Sequence, residues 1–143
     1  AAREARAAGV PYGAFYDPIG DPVRRCYAIF PWAEEQGRGL ELFSSFLKHA
    51  FVLGVNTGTN RGLRKVVEYA GLDWSEAKSR LTHTTWKDMF ESNRVAMYES
   101  GLWGVPSFRL INEKGDRLLS VWGQDRLWLV SQVIEKVLNE NLP

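Results

Sequence analysis

Cysteine is nearly absent from this sequence, which has 143 residues and a single cysteine, Cys26. One cysteine excludes an internal disulfide, a CxxC redox pair and a cysteine-rich zinc site. The two histidines, His49 and His83, lie far apart in sequence and have neither cysteines nor clustered carboxylates beside them. We therefore expect no metal site.

Long apolar runs and an excess of one charge are also missing. No stretch approaches the roughly 20 consecutive apolar residues that span a bilayer, and no signal-peptide pattern opens the chain. The formal net charge is only +1, whereas nucleic-acid-binding domains usually carry a clustered basic excess. We expect neither a membrane nor a nucleic-acid partner. The scarcity of cysteine favours a cytoplasmic location.

Helical patterns fill the first two thirds of the chain. Apolar spacings of three and four residues, with capping residues and stop signals, predict helices over 1–8, 23–36, 39–54, 61–70 and 85–100, and a short one after Asp73. Pro31 lies inside the second helix and is expected to break or kink it. The third helix carries the clearest apolar face, formed by Leu40, Phe43, Leu47, Ala50 and Phe51.

The period changes near the C-terminus. Residues 107–111 and 117–122 are short β-type runs separated by the turn sequence 112–116, which predicts a β-hairpin. A last helix over 126–139 follows, with a predicted buried stripe of Leu127, Val130, Ile134, Val137 and Leu138. The predicted order is a helical block, one hairpin and one helix, a mostly helical α/β arrangement.

The first candidate site is the run from Gly101 to Phe108, in which Pro106 stands just ahead of a strand. Proline donates no ladder hydrogen bond and therefore suits the first residue of a strand. A cis bond before Pro106 would turn the N–H and C=O of Val105 outward, where an extended peptide can pair with them. A trans proline that only starts the strand is the alternative.

The second candidate site is the run from Trp122 to Arg126, where the hairpin ends and the last helix begins. Asp125 is a natural N-cap, and the N–H groups there favour a bound anion. Its carboxylate can instead hold an ammonium group, so that the site would suit an amino-acid-like headgroup. Trp103 and Trp122 flank the two runs, and either wall a pocket for an aromatic substrate or pack in the core.

The spaced pair of motifs, Gly104-Val-Pro-Ser-Phe108 and Trp122-Gly-Gln-Asp-Arg-Leu127, resembles the C-terminal end of the DsbA-like thioredoxin family. The closer resemblance is to the branch of 2-hydroxychromene-2-carboxylate isomerase and the kappa-class glutathione transferases. It implies a thioredoxin-like fold with an all-helical insertion. The thioredoxin-like part would comprise 1–18 and 101–143, and the insertion 19–100.

The resemblance also implies a function and its residues. In this family the proline that matches Pro106 is cis, and the backbone at the Val105 position pairs with the cysteinyl part of glutathione. The residues that match Gln124 and Asp125 hold the γ-glutamyl end. The implied activity is that of a glutathione-dependent isomerase or oxidoreductase, with a small aromatic-derived or thiol/disulfide substrate.

The sequence departs from the family at its start. Family members begin with a strand, a helix that carries the catalytic Ser or CxxC, and a second strand, and none of these matches this sequence. We therefore expect no catalytic residue within this chain. We expect the βαβ unit to be missing from this chain and to have been present in the parent protein. A two-stranded sheet alone is marginal in water, so another segment, or a second copy in a homodimer, is expected to cover it. A non-catalytic binding domain and a disulfide oxidoreductase with its CxxC elsewhere are the alternatives.

Overall fold

Seven α-helices and one β-hairpin make up residues 2–140, the part of the chain that the structure, a computed structural model, describes. The helices are α1 (Ala2–Ala7), α2 (Asp21–Glu35), α3 (Gly39–Phe51), α4 (Asn60–Tyr69), α5 (Trp74–Ser79), α6 (Thr85–Glu99) and α7 (Leu127–Glu140). The strands are β1 (Ser107–Ile111) and β2 (Arg117–Trp122). Ala1, the first residue of the predicted opening helix, lies outside the described residues.

The chain divides into two compact units, with the boundary between Asp88 and Met89, inside α6. The predicted division into a thioredoxin-like part and an insertion at 19–100 stays a prediction. The first unit has its core among α2, α3, α4 and α5. Its fully buried side chains include Ile29, Leu42, Leu63, Val66 and Val67.

Side-chain caps start two helices of this core. The Thr59 hydroxyl accepts a hydrogen bond from the Gly62 N–H at 3.0 Å, and Asp73 accepts one from the Glu76 N–H at 2.9 Å. Both caps satisfy N–H groups that have no partner within the helix. The run 56–60, which resembles a phosphate-binding loop only superficially, thus serves to start α4.

The expected break of α2 at Pro31 and the predicted apolar face of α3 are wrong, while a kink at Pro31 stays a prediction. Helix α2 continues through Pro31 to Glu35, because Ile29, Trp32 and Ala33 on both sides of the proline are buried in the core. Helix α3 is placed correctly, but its buried side chains are those of Leu42, Ser45, Phe46, His49 and Ala50. Three residues of the predicted apolar face are exposed instead, namely Leu40, Phe43 and Leu47.

The second unit contains the hairpin. Strands β1 and β2 are antiparallel, with Ser107 opposite Trp122 and Leu110 opposite Leu119. Ile111 pairs with Arg117, so the register shifts by one residue and Leu118 bulges from β2. At the turn, the N–H of Asn112 donates to the carbonyl of Asp116 at 3.0 Å.

The predicted buried stripe of α7 is wrong for the described residues. Leu127, Ile134 and Leu138 of that stripe are exposed, and α7 has no fully buried residue. Val121 of β2 and Leu102, which precedes β1, are the buried apolar side chains of the second unit. The periodicity identified the apolar side of α7 correctly, but a single hairpin provides too little surface to bury that side.

Candidate functional site

The hairpin brings the two motifs together at the same end. Because Ser107 lies opposite Trp122, the residues just before β1 are adjacent to those just after β2. The N–H of Gly123 donates to the carbonyl of Pro106 at 3.0 Å and thereby continues the ladder past the last strand pair. The loop at 104–106 and the turn at 124–126 are therefore neighbours.

Val105 is the most prominent residue of the first loop. Its peptide bond to Pro106 is cis, and the residue is 84% exposed. Within residues 2–140, no group donates to its carbonyl and no acceptor receives its N–H. A hydrogen bond within the loop fixes its shape, since the Ser107 hydroxyl donates to the carbonyl of Gly104. Val105 thus presents an unpaired backbone N–H and C=O beside the hairpin.

Trp103, which precedes the loop, and Trp122, the last residue of β2, form an aromatic pair beside it. Their ring centroids are 4.3 Å apart and their planes are tilted by 37°. Trp122 is half-buried, whereas Trp103 is 66% exposed. A methyl group at Gly104 would come within 2.1 Å of Nε1 of Trp122, so the indole packs directly on the glycine backbone. Of the two rings, Trp103 has the surface that a ligand could reach.

Gln124 and Asp125 lie in a 3₁₀ turn, Gln124–Arg126, that precedes α7. Both side chains are exposed. The expectation that Asp125 caps the last helix is wrong, because no backbone N–H among the described residues donates to its carboxylate. Instead, Oδ1 of Asp125 lies over Gly123, at 2.3 Å from the position that a Cβ of that residue would take.

The remaining candidates from the sequence have structural roles. His49 is buried, and its Nδ1 donates to the carbonyl of Ser45 at 2.8 Å. Burial raises the pKa of Cys26 to about 12, so its thiol is protonated and unreactive at neutral pH. Within the described part of the chain, no group of three or more His, Cys, Asp or Glu side chains is arranged to hold a metal ion. None of the helices there is both long and apolar enough to cross a bilayer.

Sequence reasoning missed Gly104 and Gly123 as parts of the site. Both belong to the two motifs but were given no role there, and each makes room for a side chain that a Cβ would displace. The available signal was the presence of a glycine beside both Val105 and Gln124, since glycine often marks a close approach of other groups to the backbone.

A groove of about 760 Å³ lies elsewhere in the second unit, between the turn end of the hairpin and α7. Its lining includes Leu110, Leu118, Ile134 and Leu138. This groove is at the opposite end of the hairpin from Val105 and Asp125 and is separate from the candidate site.

A cis-proline loop that leads into β1, and a helix that follows β2, are the arrangement that the resemblance to thioredoxin-like proteins implies. The sequence matches the family model described as "DSBA-like thioredoxin domain" over residues 2–135, and the chain belongs to that family. A search among curated protein sequences finds no significant match.

One solved structure with the same fold is that of a 2-hydroxychromene-2-carboxylate isomerase (HCCA isomerase). It matches with a TM-score of 0.70 and 20% sequence identity over 98% of this chain. The chain spans 64% of the length of that isomerase chain. At this identity the similarity shows the fold, and the branch of the family that the two motifs indicated stays a prediction.

Proposed function

We propose that this chain binds glutathione where the 104–106 loop meets the 124–126 turn, as part of a glutathione-dependent isomerase or oxidoreductase. The observation that carries the proposal is the hydrogen bond between the Gly123 N–H and the Pro106 carbonyl. That bond brings the loop with the unpaired backbone groups of Val105 next to the turn with the unpaired carboxylate of Asp125. A small peptide with an amino-acid headgroup needs both.

The groups at the site fit the two ends of such a ligand. The N–H and C=O of Val105 can pair with the peptide backbone of glutathione, as in strand addition at a sheet edge. The carboxylate of Asp125 can accept hydrogen bonds from the α-ammonium group of the γ-glutamyl residue, and a charge-assisted bond of this kind is about twice as strong as a neutral one. The Gln124 amide can donate to the adjacent α-carboxylate.

The chemistry would then follow from the position of the bound peptide. Glutathione supplies a thiolate, which serves either for addition to an unsaturated, aromatic-derived substrate in an isomerase or for thiol–disulfide exchange in an oxidoreductase. The role of Val105, Gln124 and Asp125 is to bind and orient. We assign no catalytic role to any residue of this chain, and the group that activates the thiol would lie outside it. The exposed ring of Trp103, backed by Trp122, offers a surface for an aromatic substrate.

Calorimetric titration with glutathione tests the proposal. Asp125→Ala should weaken binding by about 1–3 kcal/mol, as expected when a charge-assisted contact is removed. Asp88→Ala is the matched control, because Asp88 is also an exposed aspartate but lies in α6. S-methylglutathione should bind as well as glutathione, since the proposed contacts do not involve the thiol. Equal glutathione affinity in the two variants would exclude Asp125 from the site.

A second candidate is a non-catalytic domain that binds extended peptides, favoured by the 84% exposure of Val105 and its unpaired backbone groups. The same titrations separate the two functions. Binding of unrelated extended peptides with no preference for a γ-glutamyl group, and with no effect of Asp125→Ala, would favour this candidate. A cytoplasmic location and a homodimer remain parts of the first proposal, to be tested by fractionation and by sedimentation.

A further inference from the structure

We infer that Gly123 is a positioning residue that sets the direction of the Asp125 carboxylate. The inference rests on the proposed function, in which that carboxylate binds the ligand's ammonium group. It goes further by naming what keeps the carboxylate off the backbone N–H groups of the helix and over Gly123.

The first step is the backbone at Gly123. This residue has a φ of +106°, which side-chain-bearing L residues rarely adopt, and it is buried. In this conformation its N–H still reaches the Pro106 carbonyl, while the chain turns directly into the 3₁₀ turn Gln124–Arg126. One residue therefore both closes the ladder and sets where the turn begins.

The second step is the space above Gly123. A Cβ at this position would lie 2.3 Å from Oδ1 and 3.5 Å from Cγ of Asp125, so the carboxylate occupies the volume that the glycine leaves empty. Carbon and oxygen atoms that are not bonded to each other prefer a separation of about 3.5 Å. A Cβ at residue 123 would therefore leave no room for Oδ1 in its present place, and the carboxylate would have to turn about χ1 or χ2.

The third step is the consequence for binding. At the start of a helix, aspartate usually turns its carboxylate onto backbone N–H groups. No backbone N–H of the described residues donates to the Asp125 carboxylate. Its Oδ1 instead lies over Gly123, the residue whose N–H is hydrogen-bonded to the Pro106 carbonyl. The carboxylate consequently keeps its hydrogen-bonding capacity for a ligand.

The side-chain rotamer of Asp125 provides a test that needs no ligand. Three-bond NMR couplings from Cγ of Asp125 to the backbone report χ1, and the chemical shift of Cγ responds to a turn of the carboxylate about χ2. At least one of the two should differ between the wild type and Gly123→Ala. Gly115→Ala is the matched control, because Gly115 also has a positive φ but nothing lies within 4 Å of its would-be Cβ. An unchanged Asp125 rotamer in Gly123→Ala would overturn the inference, whatever the result with glutathione.

A double-mutant cycle on glutathione binding provides the second test. Gly123→Ala should weaken glutathione binding about fivefold or more in the wild-type background, and have no effect in the Asp125→Ala background. Equal losses in both backgrounds would show that the methyl group acts through the backbone and would overturn the inference. Absence of binding by the wild type would instead contradict the proposed function, and the rotamer measurement would still decide the role of Gly123.

A third variant covers a failure of Gly123→Ala to fold. Asp125→Glu keeps the charge but moves the carboxylate away from the space over Gly123 by one methylene group. We expect it to bind glutathione as weakly as Asp125→Ala does. Affinity at the wild-type level would show that the placement of the carboxylate over Gly123 is irrelevant, and would overturn the inference.

Discussion

The hydroxyl of Ser45 donates a hydrogen bond to the carbonyl of Val66 at 2.8 Å, and so joins α3 to α4 inside the core of the first unit. Ser45 is 1% exposed and Val66 is fully buried, so water cannot replace either partner. A polar contact between two buried groups fixes the relative rotation of the helices more narrowly than apolar packing alone.

Removal of this hydroxyl should be costly. Ser45→Ala removes this hydrogen bond, while the Val66 carbonyl still accepts from the N–H of Ala70 at 3.2 Å, and we expect a loss of about 0.5–1.5 kcal/mol in the free energy of unfolding. Ser44→Ala, on the exposed side of the same helix, should change stability by less than about 0.5 kcal/mol. Urea denaturation of both variants checks the prediction, which a loss of equal size in the two would contradict.

The orientation of α3 about its own axis, which decides the side chains that face the core, gives a second prediction. Leu42 is fully buried and Leu40 is 74% exposed, although they are only two residues apart. Leu42→Ala should lower the free energy of unfolding by about 2–5 kcal/mol because it opens a cavity in the core. Leu40→Ala should have an effect below about 0.5 kcal/mol in the same denaturation experiment. The reverse order would mean that α3 packs with its other face inward.

Cys26 makes the stability of the protein depend on pH in the alkaline range. Burial raises the pKa of this thiol from its usual 9.0 to about 12. Between these values the unfolded chain loses the thiol proton and the folded chain keeps it, so the contribution is fully present below pH 9.0 and is lost as the pH rises toward about 12. The stability difference between the wild type and Cys26→Ala should therefore shrink over that range, as measured by denaturation at stepped pH.

Alkylation of Cys26 provides an independent measurement. At pH 8, iodoacetamide should modify the native protein very slowly and the urea-unfolded protein rapidly, because the thiolate is the reactive species. Rapid modification of the native protein would show that the thiol is accessible and ionised, contrary to its burial.

The ring of Trp103 should discriminate among glutathione conjugates. If its exposed face contacts an aromatic substrate, Trp103→Ala should weaken binding of an S-benzyl conjugate by about 0.5–1.5 kcal/mol more than binding of glutathione itself. Trp128→Ala is the control, since Trp128 is 61% exposed but belongs to α7. Calorimetry with both ligands gives the two differences. An equal effect on the two ligands would leave Trp103 without a role in substrate selection.

The positions of the helices and the hairpin could be predicted from the sequence, because apolar period and turn residues are local signals. The buried face of α3 could not. Leu40, Phe43 and Leu47 recur at three- and four-residue steps, which are as helical as the four-residue steps of Leu42, Phe46 and Ala50. Only the packing of α3 against α2 and α4 decides between the two stripes. The continuation of α2 through Pro31 is likewise decided by tertiary contacts.

The site could be predicted in part. The hairpin pattern alone places Pro106 beside Gly123, because the residues that flank a hairpin are adjacent. The direction of the Asp125 carboxylate could not be predicted, since capping preference points the other way. It depends on the backbone of Gly123, and a dihedral angle of one residue leaves no periodic trace in a sequence.

The bulge at Leu118 lies between the turn of the hairpin and the regular strand pairs that lead to Trp122. A one-residue slip of β2 against β1 would turn Trp122 to the opposite side of the sheet and away from Trp103. The bulge already accommodates one additional residue between the turn and the regular pairs from Leu110 to Ser107. A change in the length of the turn at 112–116 is therefore expected to be absorbed at the bulge, and to leave the pair of indoles at the far end in register.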